Sequence, residues 1–218
     1  MSIEVFFNRP ARPFPLNRLL ADIAGAQKTL AVASAWFTLR PLVDAIVQSR
    51  ADEKYVVLNG ADLGRGGGAG QRILEILEAA AQRRWEESHA WEKFAVKIIG
   101  SADFKDGIMH HKFVSIDGRI LWTGSYNLTY QASKNYEALL RIEEDPSTVE
   151  HETAAQQFEN EAFTMVFSEP NLWEGSTSEA SSEDAFRCYV CKRIFQFELA
   201  VDWWEPDGHV TCTKCAGK

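Results

Sequence analysis

The sequence predicts an α/β fold over its first 168 residues and a separate small domain at its C-terminus. Short apolar runs, typical of strands, alternate with amphipathic stretches of helical period over the first part. The composition then changes, and all four cysteines lie beyond residue 168. A chain of 218 residues, 45% of them hydrophobic, is long enough for one substantial core and a small appendage.

The predicted elements follow one another along the chain as strands and helices. Apolar and β-branched runs predict strands at residues 3–7, 30–35, 55–58, 95–99, 112–116, 120–123 and 136–142. Apolar residues recurring at intervals of three and four predict helices over residues 16–23, 41–47, 73–85 and 155–165. Pro41 suits the first turn of the second helix, and a further helix is predicted to begin near Asn127.

The change in composition predicts the domain boundaries. We expect an α/β domain over residues 1–168, a linker over residues 169–185 and a small second domain over residues 186–218. The linker contains a run from Gly175 to Asp184 that is rich in Ser, Thr and acidic residues and has no apolar period.

The ends and the charge of the chain bear on its location and its partners. The N-terminus lacks the pattern of a signal peptide, and no stretch approaches the roughly 20 apolar residues that span a bilayer. We therefore expect a cytoplasmic protein without membrane association. The net charge of −8 argues against unspecific coating of nucleic acid, although a local basic cleft is compatible with it.

One segment carries residues suited to phosphate chemistry. His110 and Lys112 lie two apart near a predicted strand, so their side chains are expected on one face, with that of His111 on the other. An imidazole suits attack on phosphorus, and an ammonium group offsets the charge of the phosphate oxygens. Ser125 and Asn127 add neutral donors, which the amides of a helix beginning near Asn127 would supplement.

The segment from His110 to Asn127 resembles the signature of the phospholipase D superfamily, the HKD motif. That signature is a histidine, any residue, a lysine, four residues, an aspartate, six residues and then Gly-Ser-any-Asn. Every fixed position and spacing is met, with Asp117 as the aspartate. Glu137 resembles a glutamate of the single-motif bacterial nucleases of this superfamily. The resemblance implies a mixed sheet flanked by helices.

The resemblance also implies a mechanism through a covalent phosphohistidine. His110 would attack phosphorus, and a second His110 from another subunit would protonate the leaving oxygen and later activate water. The second histidine must come from a partner because the chain has one copy of the motif. We therefore expect a homodimer with a shared cleft and no catalytic metal.

The other signature residues have implied roles around this histidine. Lys112 and Asn127 would hold the phosphate, with Ser125 assisting. Glu137 would hydrogen-bond His110 and fix its tautomer. Asp117 is expected to support the strand and its turn more than it touches substrate.

The cysteines form two pairs, each with two residues between its members. Pairs of this kind supply four thiolates to a tetrahedral zinc, and the aromatic and β-branched residues between them suit the short strands of a zinc ribbon. The predicted ligands of this structural zinc are Cys188, Cys191, Cys212 and Cys215. Two disulfides are the competing interpretation.

The motif and the cysteine pairs together favour a nuclease that cleaves DNA or RNA. One alternative is a phospholipase or cardiolipin-type hydrolase, for which a membrane anchor or an exposed amphipathic surface would be expected. Another is a non-catalytic binding module whose zinc ribbon recruits a partner. The resemblance alone raises a helicase or another defence-system protein as a partner.

Purified protein is expected to contain one zinc per chain, and Cys212→Ser is expected to lower that content, because a structural site needs its full ligand set. Elemental analysis checks the metal, and thiol titration of denatured, unreduced protein checks the ligands. Four free thiols are expected. Protein that contains neither zinc nor free thiols would favour the disulfides.

Overall fold

The computed structural model describes residues 1–9, 16–63, 68–89, 93–100 and 108–167, and the backbone of two short strands near the C-terminus. The chain divides into two compact units, Met1–Gly175 and Ser176–Lys218. The first unit carries the predicted α/β domain. None of the described helices is long and apolar enough to cross a membrane.

A seven-stranded mixed sheet forms the centre of the first unit, and its strand order is β1-β7-β6-β5-β2-β3-β4. The strands are β1 (Ser2–Asn8), β2 (Thr29–Ser34), β3 (Glu53–Asn59), β4 (Phe94–Ile99), β5 (Lys112–Ile116), β6 (Ile120–Gly124) and β7 (Glu137–Glu143). Strands β2, β3 and β4 pair in parallel, and β2, β5, β6, β7 and β1 pair as antiparallel neighbours. The predicted mixed sheet is confirmed.

Helices cover both faces of this sheet. They are α1 (Leu16–Gly25), α2 (Arg40–Gln48), α3 (Gly60–Leu63), α4 (Ala69–Ser88) and α5 (Ala154–Phe167). The side chains of α1, α2 and α4 share one buried cluster with Val32 and Val114, whereas those of α5 share a second cluster with Ala31 and Phe113. Successive strand residues point to opposite faces, so the apolar runs of β2 and β5 serve both clusters.

The prediction of a helix that begins near Asn127 is wrong. Leu128 lies in an extended segment that bridges Phe37, and its carbonyl accepts hydrogen bonds from the amides of Thr38 and Leu39. These bonds to a distant loop take the carbonyl that a helix would have used internally, so tertiary pairing overrides the local pattern. A single 3-10 turn at Ala132–Lys134 follows instead.

The described part of the second unit is an antiparallel pair of strands, β8 (Ala185–Arg187) and β9 (Ile194–Gln196). In the sequence these strands flank the first cysteine pair. The predicted zinc ligands, Cys188, Cys191, Cys212 and Cys215, lie outside the described residues. The zinc ribbon therefore stays a prediction.

A half-buried carboxylate on α5 holds the turn between β5 and β6. Glu159 accepts hydrogen bonds from the Gly118 amide at 2.7 Å and from the Ser115 hydroxyl at 3.2 Å. Burial raises the pKa of Glu159 to about 7 and outweighs the two hydrogen bonds, which lower it, while the carboxylates of Asp117 and Glu53 raise it by smaller amounts. The charged form of this group therefore costs stability in the folded state.

Glu159→Gln is expected to stabilise the fold at pH 8 more than at pH 5. The pKa of Glu159 is higher in the folded than in the unfolded chain, so the wild type loses stability as pH rises from about 4.5 to about 7. The neutral amide avoids that loss, which is on the order of 1–3 kcal/mol. Chemical denaturation at both pH values measures the difference. Glu87→Gln on the exposed side of α4 is the control, and an equal gain at pH 5 and pH 8 would contradict the assignment.

Candidate active site

All the signature residues except Asp117 lie at one edge of the sheet, where β2 and β6 end and β5 and β7 begin. The antiparallel register pairs Ser34 at the end of β2 with Lys112 at the start of β5. In the same way Gly124 at the end of β6 lies opposite Leu139 in β7. This register brings segments that are distant in the sequence to one edge.

The two histidines before β5 point to opposite faces, as predicted. The His111 carbonyl accepts a hydrogen bond from the Ala35 amide at 3.0 Å, which fixes the entry to the strand. The His111 side chain lies 3.5 Å from the Glu161 carboxylate on α5. The exposed His110 side chain contacts Trp36 instead, on the face that carries the first cluster.

Electrostatics favour a neutral imidazole at His110. Partial burial is the first cause that lowers the pKa of His110, and the charges of Lys112 and His111 lower it further. A neutral ring keeps a lone pair for attack on phosphorus. Burial likewise lowers the pKa of Lys112, and the Glu137 carboxylate opposes this.

The ammonium group of Lys112 is held beside His110. Its Nζ atom donates a hydrogen bond to the backbone carbonyl of His110 at 2.9 Å. An ammonium group has three donors, so this bond leaves others for a phosphate. The geometry therefore suits Lys112 as a phosphate-binding cation.

Ser125 and Glu137 are bound to each other. The Ser125 hydroxyl donates a short hydrogen bond to the Glu137 carboxylate and accepts one from the Ala138 amide at 3.1 Å. Asn135 donates to the other carboxylate oxygen at 3.2 Å. Within the described residues Glu137 makes no hydrogen bond to His110, and the predicted role of Glu137 in orienting the imidazole stays a prediction.

The side-chain oxygen of Asn127, Oδ1, is buried without a hydrogen-bond partner among the described residues. The next residue, Leu128, is fixed by its bonds to the segment after β2. This leaves the amide nitrogen as the donor that Asn127 can offer to a phosphate.

Asp117 lies at the far end of β5 from His110. Its carboxylate accepts hydrogen bonds from the amides of Gln27, Lys28 and Thr29 at 2.7–3.1 Å, just where β2 begins. Its backbone has φ = 56°, a left-handed conformation that Asp tolerates. It follows Lys112 by five residues, about 16 Å along a strand, so its contacts are with the scaffold.

Gly124 is required by a close backbone approach. It has φ = 151°, and a Cβ atom at this position would lie 2.1 Å from the Ala138 carbonyl oxygen. The Ser125 amide donates to that same carbonyl at 2.9 Å. Glycine thus allows β6 and β7 to approach where Ser125 and Glu137 meet.

Two further residues of the site were missed by the sequence analysis. The ring of Trp36 lies perpendicular to that of His110 at a centroid distance of 5.6 Å. Asn8 is buried at the end of β1, and its side-chain amide donates to three carbonyls of the 132–135 segment at 2.8–3.1 Å. Both residues lie at the end of a strand, where binding residues collect in α/β folds, and this was the available signal.

The fold and the signature at its edge define a phospholipase D-like protein, and comparison with known proteins gives the same class. Residues 19–164 match the family model described as "Cardiolipin synthase, PLD-like domain". The chain belongs to this PLD-like phosphodiesterase family.

Solved structures of low sequence identity share the fold. Nuc from Salmonella typhimurium, a phospholipase D family member, matches with a TM-score of 0.51 and 18% identity over 75% of this chain and 94% of its own. NucT from Helicobacter pylori matches with a TM-score of 0.50 and 20% identity over 75% of this chain and 96% of its own. Phosphatidylserine synthase from Haemophilus influenzae matches with a TM-score of 0.52 and 16% identity, over 76% of this chain and 39% of its own.

A curated relative covers part of the same region. The mitochondrial cardiolipin hydrolase of Xenopus laevis is 28% identical over 130 residues, which make up 59% of this chain. The chain spans about half the length of that relative, 53%.

Gly124→Ala is expected to destabilise the fold by more than about 3 kcal/mol, because the added methyl group would overlap a backbone carbonyl that cannot move aside. Gly25→Ala is the matched control, since a Cβ atom there meets nothing within 4 Å. Thermal and chemical denaturation of both variants measure the effect. Equal stability of the two variants would contradict the close approach of β6 and β7.

Proposed function

We propose that this protein is a nuclease that cleaves phosphodiester bonds of DNA or RNA through a phosphohistidine, in a site shared by two copies of the chain. The observation that carries the proposal is that His110, Lys112 and the segment of Asn127 lie at one open edge of the sheet. Lys112 donates to the His110 carbonyl and pairs with Ser34, whose hydroxyl accepts a hydrogen bond from the amide of Leu128, the residue after Asn127. A nucleophile, a cation and a neutral donor suffice for phosphoryl transfer without a catalytic metal.

In the first step the neutral His110 attacks phosphorus. A P–N bond forms, the bond to the leaving oxygen breaks, and a protonated His110 of the second copy gives its proton to that oxygen. That second histidine, now neutral, takes a proton from water in the second step. The hydroxide attacks phosphorus, the P–N bond breaks and His110 is released. Lys112 and Asn127 hold the non-bridging oxygens through both steps.

The position of His111 supports the need for a second copy. Among the described residues, His111 is the nearest histidine in sequence, and its ring points toward Glu161 on α5. It is therefore badly placed to serve the same phosphate as His110. A two-fold homodimer would supply an equivalent His110 across the cleft.

The openness of the site supports a polymeric substrate. His110 and Ser125 are exposed, and Lys112, Asn127 and Glu137 are half-buried, so the described part of the site is an open, polar edge. A long chain of phosphodiesters can lie across such an edge. The likeness of the single motif to that of single-motif bacterial nucleases supports the same substrate. Cytoplasmic location, the zinc ribbon and a helicase or defence-system partner belong to this proposal as well.

A cardiolipin-type lipid hydrolase is the second candidate. The name of the Xenopus relative and the description of the family model favour it. Both candidates use the same phosphodiester chemistry at His110, so the substrate alone separates them. A non-catalytic binding module is the third, and the complete set of signature residues disfavours it.

Excess EDTA is expected to leave cleavage of labelled DNA or RNA intact, while His110→Ala lowers the rate by about three orders of magnitude or more, because the nucleophile is lost. Single- and double-stranded forms of both nucleic acids and vesicles containing cardiolipin are compared under the same conditions. His111→Ala is the matched control and should keep most of the activity, since its ring faces α5.

Each other outcome of this comparison has a defined meaning. Hydrolysis of cardiolipin without cleavage of nucleic acid would favour the lipid hydrolase. Activity that His110→Ala leaves unchanged would overturn the phosphohistidine mechanism. Active protein that sediments as a monomer would overturn the shared site.

A further inference from the structure

Trp36 stands directly against the residue that the proposed mechanism uses as its nucleophile. The indole and imidazole rings have centroids 5.6 Å apart and planes at 88° to each other, a favourable edge arrangement for aromatic rings. The described residues supply no hydrogen bond to the His110 imidazole. The indole is a fixed aromatic surface against which the imidazole packs.

The segment that carries Trp36 is fixed on both sides. The buried Ser34 hydroxyl donates to the Trp36 carbonyl at 2.8 Å, and the Ala35 amide donates to the His111 carbonyl at 3.0 Å. On the other side, the Thr38 amide donates to the Leu128 carbonyl at 2.9 Å. The segment is thus tied both to His111, the residue next to His110, and to Leu128, the residue next to Asn127.

A nucleophilic imidazole needs one orientation and a neutral ring. A fixed indole limits rotation of the His110 side chain, and its apolar surface removes water from one side of the imidazole. Loss of water favours the neutral ring, which agrees with partial burial being the first cause that lowers the pKa of His110. The other groups that act on this ring are its chain neighbours His111 and Lys112, with Glu137 acting on Lys112 from β7.

We propose that Trp36 is a positioning residue that holds the His110 imidazole in the orientation from which it attacks phosphorus. This inference rests on the proposed function, in which His110 is the nucleophile. It adds a residue outside the signature to those that support catalysis, and this residue acts indirectly, through its effect on His110.

The test compares Trp36→Ala, Trp36→Phe and the matched control Trp85→Ala. Trp85 on α4 also lies edge-on to a histidine, His89, with centroids 6.0 Å apart and planes at 78°. Bis(p-nitrophenyl) phosphate serves as the substrate, because it reports phosphodiester cleavage whichever natural substrate the enzyme has. Trp36→Ala should lower kcat about 3- to 10-fold with little change in KM, which corresponds to roughly 0.7–1.4 kcal/mol. Trp36→Phe and Trp85→Ala should stay close to the wild type.

A second readout does not depend on activity. Proton NMR of histidine-labelled protein, with His110→Gln to assign the signal, measures the pKa of His110 and the shift that the indole ring current causes. Trp36→Ala should raise that pKa toward its ordinary value and abolish the ring-current shift, and Trp85→Ala should change neither.

The two readouts separate the inference from the proposed function. A folded Trp36→Ala protein with unchanged kcat, unchanged His110 pKa and an unchanged ring-current shift would overturn the inference. If the wild type cleaves neither this ester nor any nucleic acid, the proposed function fails. The NMR titration then still decides whether Trp36 controls the orientation and the charge of His110.

Discussion

The pairing of β5 with β2 is the constraint on which the rest of the structure depends. Strand β2 is where the parallel and antiparallel halves of the sheet meet, because it pairs with β3 on one side and β5 on the other. The Asp117 carboxylate binds three successive amides at the start of β2 and so fixes the register of β5. A slip of one residue would turn Lys112 to the opposite face and separate it from Asn127. The signature aspartate thus acts on the site from the opposite end of the strand.

The same strand pair positions both the two buried clusters and the site. Alternate residues of β5 face α5 on one side and the cluster of α1, α2 and α4 on the other. Glu159 of α5 adds a hydrogen bond to the turn that carries Asp117, so packing of α5 and the register of β5 support each other. Two carboxylates therefore fix this turn, one through strand amides and one through the turn itself.

The sequence was sufficient for the fold class and the main strands, because their signals are local. The apolar runs predicted β2 within one residue at each end, and fixed spacing located His110, Lys112 and Asn127. The extended segment at Leu128 and the contact of Trp36 with His110 depend on residues about 70 to 95 positions apart. Local propensity contains no information about such pairs, which is why a helix was wrongly predicted there and Trp36 was missed.

The charge balance of the site bears on the proposed pairing of two chains. Lys112 is the cation among the signature residues, and the Glu137 carboxylate that acts on it offsets part of its charge. The Ser125 hydroxyl donates its only hydrogen to the Glu137 carboxylate, so it can donate to a phosphate only by breaking that bond. A single chain therefore supplies little more than one ammonium group and one amide to stabilise a transition state with two negative charges. A two-fold axis through the cleft would double both and supply the acid, so the proposed pairing would complete the chemistry and at the same time correct the deficit of positive charge.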